Sequence, residues 1–380
     1  MSLEFRITGA EVLRPDGLGR DAFTVRDGVI DDGGVAREVK LDGYLVLPGI
    51  VDIHGDGFER HLAPRRGAMK DMVGGLMSSE AELAANGITT AVLAQFFSWE
   101  GGLRGPDFAA TMLAALARVK DQVVTDLLVQ LRFEILMLDA YGAFEDLVVQ
   151  HGVGYVVFND HVPHARLEAG RLPKRLTGTA LKSGRSPEAL LKLMQEMHAR
   201  RDQLPGAIAG LAQRLRARGV RLGSHDDRTA EQRAMWRAHD VRIVEFPETL
   251  EAAEAAKAGG DGLVMGAPNV MRGGSHNGNV SAVELIALGQ CDALASDYHY
   301  PSLRRAALFL VKAGVCDLSA AWGLVSEGPA RLLGLEDRGV LAAGKRADFV
   351  VLDAASKRLC ATVSGGRVSY LSGDVAARFF

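Results

Sequence analysis

The chain has 380 residues, enough for one large α/β barrel carrying a small accessory domain, or for two to three average domains. Apolar residues make up 48% and charged residues 24%, with a formal net charge of -3, which describes an ordinary soluble protein and excludes an overall basic surface for nucleic acid or anionic lipid. Any anion binding must be local.

Residues 4–46 alternate short strand-like runs, Phe5-Arg6-Ile7, Phe23-Thr24-Val25 and Tyr44-Leu45-Val46, with Asp-Gly turns at 16–17, 27–28 and 42–43. After the Pro48-Gly49 turn the pattern changes to apolar strands alternating with helical periodicity. Strands are predicted over 50–53, 88–95, 127–136, 153–159, 220–224, 241–245, 262–266 and 291–295. Helices are predicted over 69–86, 107–122, 187–200, 206–218, 229–239, 248–258 and 302–313. Such βα repeats argue for a parallel barrel rather than a two-domain open sheet. The segment 162–186, with Arg171, Lys174, Arg175, Lys182 and Arg185, reads as a long basic loop and a candidate lid. Residues 347–353 and 361–368 are again strands joined by tight turns, so half-sheets from the two ends can complete one β-sandwich. The expected fold class is therefore α/β, a distorted (β/α)8 TIM-like barrel with a small β-sandwich built from both termini, divided as 1–47, 48–335 and 336–380. Cys291, Cys316 and Cys360 are odd in number and lack metal-type spacing, which fits buried thiols in a reducing cytoplasm. No apolar run reaches about 18 residues and the first residues lack a basic segment followed by an apolar core, so neither a membrane span nor a signal peptide is expected.

In a βα barrel the active site sits at the carboxyl ends of the strands, so the residues that follow each apolar run carry the information. The first run ends in His54 and Asp56, two apart and hence on one side of a strand. Arg132-Phe133-Glu134 lies within the third, and Asn159-Asp160-His161 follows the fourth. Ser224-His225-Asp226-Asp227 follows the fifth, Gly266-Ala267-Pro268-Asn269 the seventh, and Ser296-Asp297-Tyr298 the eighth. Alone, any one of these is a loop residue or a satisfied buried polar group. Together they would bring three imidazoles and three carboxylates to one face, a set that a cation explains. His54, Asp56, Glu134, His161, His225 and Asp297 are the candidate ligands for one or two divalent ions, zinc first, with manganese or iron as alternatives. No Cys is among them, which argues against a structural zinc. His61, Asp160, Asp226 and Asp227 stand beside the ligands as candidates to orient them, while His151, His198 and His239 read as surface residues. The stretch 266–279, rich in Gly, Asn and donors, reads as an anion loop through Asn269, Arg272, His276 and Asn279, with Arg60, Arg65, Arg66 and Arg132 adding positive charge.

Pro48-Gly49-x-x-Asp52-x-His54, the later single His residues, Asp297 and the closing Gly339-x-Leu341-x-x-Gly344-Lys345-x-Ala347-Asp348 resemble the amidohydrolase superfamily of metal-dependent hydrolases. Asp56 stands where most of that superfamily carries a second His, and Glu134 where it carries a carboxylated Lys. Both replacements are similar to a narrower group, diphosphatases that act on α-D-ribose 1-methylphosphonate 5-triphosphate in phosphonate degradation. Gln130 and Pro163-His164 depart from that group, and the count along this chain puts Glu134 on the third strand rather than the fourth. The resemblance implies cleavage of the 5-triphosphate to the 5-phosphate and pyrophosphate, with Glu134 bridging metals and Asp297 as the base. It further implies that Arg60, Arg132, Asn269, Arg272, His276 and Asn279 hold the substrate. The expected partner is a small anionic phosphorylated substrate, with further copies of the chain left open and neither nucleic acid nor membrane. The alternatives are a C–N hydrolase of the same scaffold (deacetylase, cyclic amidase or deaminase) and a non-catalytic metal-binding subunit.

Overall fold

A computed structural model of the chain describes residues 4–34, 36–63, 71–273 and 279–380. The chain divides into two compact units, one of residues 1–93, 118–128 and 262–380, the other of 94–117 and 129–261.

In the first unit the two ends of the chain build paired sheets. Val29–Asp31, Phe23–Arg26, Phe5–Thr8 and Arg37–Lys40 form one sheet in that order. Arg367–Leu371, Leu359–Ser364, Phe349–Asp353, Tyr44–Pro48, Glu11–Arg14 and Gly17–Gly19 form the other, the seam between the two ends of the chain being the antiparallel pairing of Tyr44–Pro48 with Phe349–Asp353. The Asp27-Gly28 turn joins Phe23–Arg26 to Val29–Asp31 with φ of 48° and 80°, the mirror-image turn whose twist suits a hairpin. Phe5, Phe23 and Phe349 meet edge to face between the sheets, with Leu341 and Ala347 of the closing motif buried among them. That motif is a structural stitch. Its Gly344 and Lys345 exchange backbone bonds with Ile30, and Asp348 O accepts from Gly49 N.

Among the described residues, eight strands form a third sheet in chain order: β1 (Ile50–Gly55), β2 (Ile88–Phe97), β3 (Asp126–Glu134), β4 (Tyr155–Asn159), β5 (Arg221–His225), β6 (Ile243–Glu245), β7 (Gly262–Gly266) and β8 (Ala293–Ala295). A parallel bridge between Gly55 and Asp297 links β1 to the segment after β8, nearly closing the barrel. β1, β2 and β4 are buried along their whole length, as expected of strands covered on both faces. Predicted helices appear at Met72–Ala85, Pro106–Val119, Pro187–Ala199, Leu204–Ala217, Ala230–Ala238, Leu250–Ala258 and Ser302–Lys312. No helix of the described residues is long and apolar enough to cross a membrane.

The segment 162–186 corrects one expectation. It is not a long loop but holds helices His164–Glu168 and Leu176–Ser183. Leu176 and Ala180, spaced one helical turn apart between basic residues, pack against the cluster of Trp99, Leu136, Leu190 and Met194.

Candidate active site

Four adjacent parallel strands of the second unit end in polar residues, and their register sets these side by side. Glu134 of β3 is in register with Asn159 of β4, and His225 of β5 with Glu245 of β6. Neighbouring strands lie about 4.8 Å apart, so such pairs touch where they share a face.

Glu134, fully buried, is the centre of the first group. Its Oε2 accepts from Trp99 Nε1–H and from the His161 backbone N–H, each at 3.1 Å. Its Oε1 lies 2.6 Å from His161 Nδ1, which is also 3.3 Å from Glu100 Oε1. The ligand atoms of Glu100, Glu134 and His161 all fall within 4.8 Å of one another. Burial disfavours charge on His161, but Glu134 and Glu100 outweigh it and push the imidazole up to about 10. Burial likewise opposes charge on Glu100, yet His161 and Arg104 hold its carboxyl down at about 2.

In the second group, ligand atoms of His225 and Glu245 also lie within 4.8 Å of each other. Tyr155 O–H donates to Glu245 Oε1 at 2.7 Å, and Gln130 Nε2–H donates to the same oxygen. Arg132, 4% exposed, donates from Nη2 to His225 Nε2 at 2.9 Å, which puts the imidazole proton on Nδ1, 3.1 Å from Asp226 Oδ2. Burial raises the Asp226 carboxyl, but His225 and Arg132 hold it at about 2.

These residues fit a divalent cation. Glu134 Oε1 and His161 Nδ1 are buried and close, but out of line for an N–H···O bond, which is how ligand atoms converge on a third atom. Oxygen and imidazole donors without thiolate suit zinc, manganese or iron. The donors behind Glu134 and Glu245 fix the carboxylates as metal-site partners do.

In the first unit, His54 and Asp297 meet through backbone: Asp297 N–H donates to His54 O at 3.0 Å, and Asp56 N–H donates to Asp297 O at 2.9 Å. Buried Asp52 ties these strands together, accepting from Ser296 N–H at 3.0 Å and from Ser296 Oγ–H. Gly55 is required by close approach, since a Cβ there would sit 2.7 Å from Asp52 Oδ2 and 3.0 Å from Tyr300. Among the described residues, the groups of three or more ligand atoms within 4.8 Å do not include Asp56 or Asp297.

The other predicted residues take varied positions. Arg60 and His61 both bind Glu82, His61 Nε2 at 2.6 Å from Oε2, and Arg60 donates to Tyr298 O at 3.1 Å. Arg272 donates to the Tyr298 hydroxyl and lies over its ring. Asn269 is engaged by backbone, donating to Val280 O at 3.2 Å and accepting from Ala282 N–H at 3.1 Å. Asn279 is half-buried; His276, Arg65 and Arg66 lie outside the described residues. Asp160 pairs with His164 at 2.9 Å, and His164 Nδ1 meets Nδ1 of His198 at 2.7 Å. Asp227 binds Ser224, Arg233 and Trp236 and turns away from His225. Glu100 and Glu245 were absent from the predicted set. The strand-end rule would have found both, had it been applied after β2 and at the end of β6.

The chain is 34% identical over 324 residues to the α-D-ribose 1-methylphosphonate 5-triphosphate diphosphatase of Escherichia coli strain K12, covering 82% of this chain and 83% of that protein. The chain belongs to the amidohydrolase superfamily. The amidohydrolase family profile matches residues 309–370. Solved amidohydrolase folds align along nearly the whole chain. The dihydropyrimidinase of Brevibacillus agri is 13% identical, with TM-score 0.58 and coverage of 99% of this chain and 97% of that one. The N-acetylglucosamine-6-phosphate deacetylase of Thermotoga maritima is 15% identical, with TM-score 0.57 and coverage of 97% and 100%. At such identities these two speak for the fold alone; membership of the superfamily and the resemblance to the diphosphatase make this amidohydrolase an enzyme, a hydrolase.

Proposed function

We propose that this amidohydrolase cleaves the 5-triphosphate of α-D-ribose 1-methylphosphonate 5-triphosphate to the 5-phosphate and pyrophosphate, in a cytoplasmic phosphonate-degrading sequence. The observation that carries the reading is the buried Arg132 guanidinium on His225, flanked by the His161, Glu134 and Glu100 group. Metal ligands and a fixed guanidinium together suit a phosphoanhydride, whose cleavage builds charge on phosphate oxygens. The identity to the Escherichia coli diphosphatase supports the same substrate class.

In this reading Glu134, His161 and Glu100 hold a divalent cation, zinc before manganese or iron, and the ligand roles of His54, Asp56, His225 and Asp297 belong to the same proposal. The bound cation would supply Lewis-acid charge at the reacting phosphate and lower the pKa of water toward about 7. Asp297 takes the proton from the attacking water. Arg132 orients phosphate oxygens, and Arg60 and Arg272 add charge where the ribose phosphonate binds. Trp99 holds Glu134 in place, while Tyr155 and Gln130 hold Glu245.

The test is product analysis with protein reconstituted in zinc or manganese. Equimolar pyrophosphate and 5-phosphate from the triphosphate substrate are expected. Ring opening of a dihydropyrimidine to its N-carbamoyl β-amino acid, or release of acetate from an N-acetyl sugar phosphate, with no pyrophosphate from the triphosphate, would overturn the reading in favour of a C–N hydrolase.

A further inference from the structure

Arg104 was not among the residues singled out by sequence, yet it stands against the Glu100, Glu134 and His161 group on a rigid support. Its backbone is pinned: Ser98 N–H donates to Arg104 O at 2.7 Å, Arg104 N–H donates to Gly101 O at 3.1 Å, and Gln95 Nε2–H donates to Leu103 O at 3.0 Å. Its guanidinium carbon lies 4.2 Å from the centroid of the Phe96 ring, and that of Arg132 lies 3.9 Å from the same centroid. The ring is 5.9 Å from that of His161. One aromatic side chain thus carries two guanidiniums beside the candidate metal ligands.

Two like charges on one ring repel unless anions lie between or beside them. Glu100 supplies one, accepting from Arg104 Nη1–H at 2.9 Å. Arg104 differs from Arg132 in depth. The Arg104 side chain is 37% exposed, whereas Arg132 is 4% exposed, so the pair runs from solvent to the buried group. A guanidinium lying over an aromatic ring keeps its N–H edge in plane, the geometry that binds two phosphate oxygens at once. An extended polyanion reaching the His161 group would pass both.

We propose that Arg104 is a substrate-binding residue that, with Arg132, grips the two phosphates leaving together as pyrophosphate, while Phe96 acts as the positioning residue for both guanidiniums. The inference rests on the diphosphatase reading above, and it names the chain's own contact with the leaving group.

The competing role is purely structural, Arg104 serving only to aim Glu100 at a metal. Calorimetric binding of inorganic pyrophosphate to the whole protein, at saturating Mn(II) and again after chelation, separates the two, with Mn(II) affinity measured independently by chelator competition. Arg104→Ala should weaken pyrophosphate binding by about 10-fold or more in both conditions, as loss of a charge-assisted contact predicts. Arg104→Gln, which keeps the stem and can still hydrogen-bond Glu100, should show the same loss, and Phe96→Leu a smaller loss in the same direction. The Mn(II) affinity of Arg104→Gln and Phe96→Leu should stay near that of the parent chain, whereas Arg104→Ala, which also loses the Glu100 contact, should bind Mn(II) about 10-fold more weakly, a loss that saturating metal offsets.

Unchanged pyrophosphate affinity in Arg104→Ala and Arg104→Gln would overturn the proposal. So would a loss seen only through weaker Mn(II) binding and absent at saturating metal. Failure of the parent chain to bind pyrophosphate would also overturn it. If the parent binds pyrophosphate through Arg104 but releases none from the triphosphate, the functional reading fails while the anion site stands.

Discussion

Replacing Trp99 by Phe tests whether Glu134 is held for a metal. Trp99, 5% exposed, donates its indole N–H to Glu134 Oε2 at 3.1 Å, and the carboxylate is fully buried. A hydrogen bond to a charged group contributes about 1.5–3 kcal/mol. Phe keeps most of the apolar contact with Leu136, Leu190 and Met194, so the change removes chiefly the donor. The His161 backbone N–H still donates to the same oxygen at 3.1 Å, which places the expected loss at the low end. Zinc or manganese affinity should therefore fall by about 10-fold, the usual scale for losing a group that orients a metal ligand. Chelator-competition titration measures this, with a thermal melt of the metal-free protein run beside it to separate repacking from metal binding. An affinity equal to that of the parent chain, in a variant that melts normally, would refute the reasoning and make Trp99 a packing residue only.

Arg233→Met should leave Asp227 and Asp261 as buried charges lacking a partner each now has at 2.8 and 2.7 Å, costing about 3–5 kcal/mol in a urea unfolding curve. An unshifted midpoint would mean that Arg237 and Arg242 already satisfy Asp261. Asp297→Asn should lower kcat by about 10²- to 10⁴-fold if Asp297 moves the proton. Because Asn tolerates the left-handed conformation that Asp297 adopts, φ 56°, the melting temperature should not move, and full turnover would remove the residue from the mechanism. In the metal-free protein the pKa of His161 is raised from its ordinary 6.5 to about 10, chiefly by Glu134 against the opposing effect of burial. The folded state then binds this proton more tightly than the unfolded chain, so the stabilisation is complete below about 6.5 and fades as pH rises to about 10. Urea curves of chelated parent and His161→Gln proteins should converge over that window, and a stability difference that stays constant with pH would contradict the ion group.

The fold was legible where one period governed a segment. Alternation and Asp-Gly turns announced the terminal sheets, and apolar runs announced each barrel strand. Ends were misjudged where a buried apolar residue serves something other than a strand. Val241, predicted to open β6, instead donates its N–H to Trp236 O at 3.1 Å and closes the preceding helix, with Asp240 at φ 59°. Cys291 lies buried before β8 begins and bonds through its thiol to Ala293 O. Helix Tyr141–His151 escaped notice because Gly142 weakens its first turn, though Phe144, Leu147 and Val148 form a buried stripe at helical spacing.

The site was legible only where a charged residue closed an apolar run and kept its side chain on the inner face. Asp227, two residues after His225, reads as a candidate to orient that ligand, yet it turns into the Arg233 and Trp236 network. Glu245 closes a strand of only three residues, too short a run to stand out, and Glu100 stands three residues beyond β2 within the turn that Gly101 N–H closes onto Ser98 O. Asp226 and Phe246 carry positive φ of 60° and 52° immediately after β5 and β6, and Asp297 carries φ 56° two residues after β8. Local propensity argues against a bulky Phe in that conformation, and each such residue costs about 1–3 kcal/mol unless its surroundings over-determine it. Phe246 meets that condition by setting its ring edge-on to His225 at 5.1 Å. Strain of this kind, repeated after three strands of one barrel, is where sequence rules should fail if those strand ends are shaped for chemistry rather than for stability.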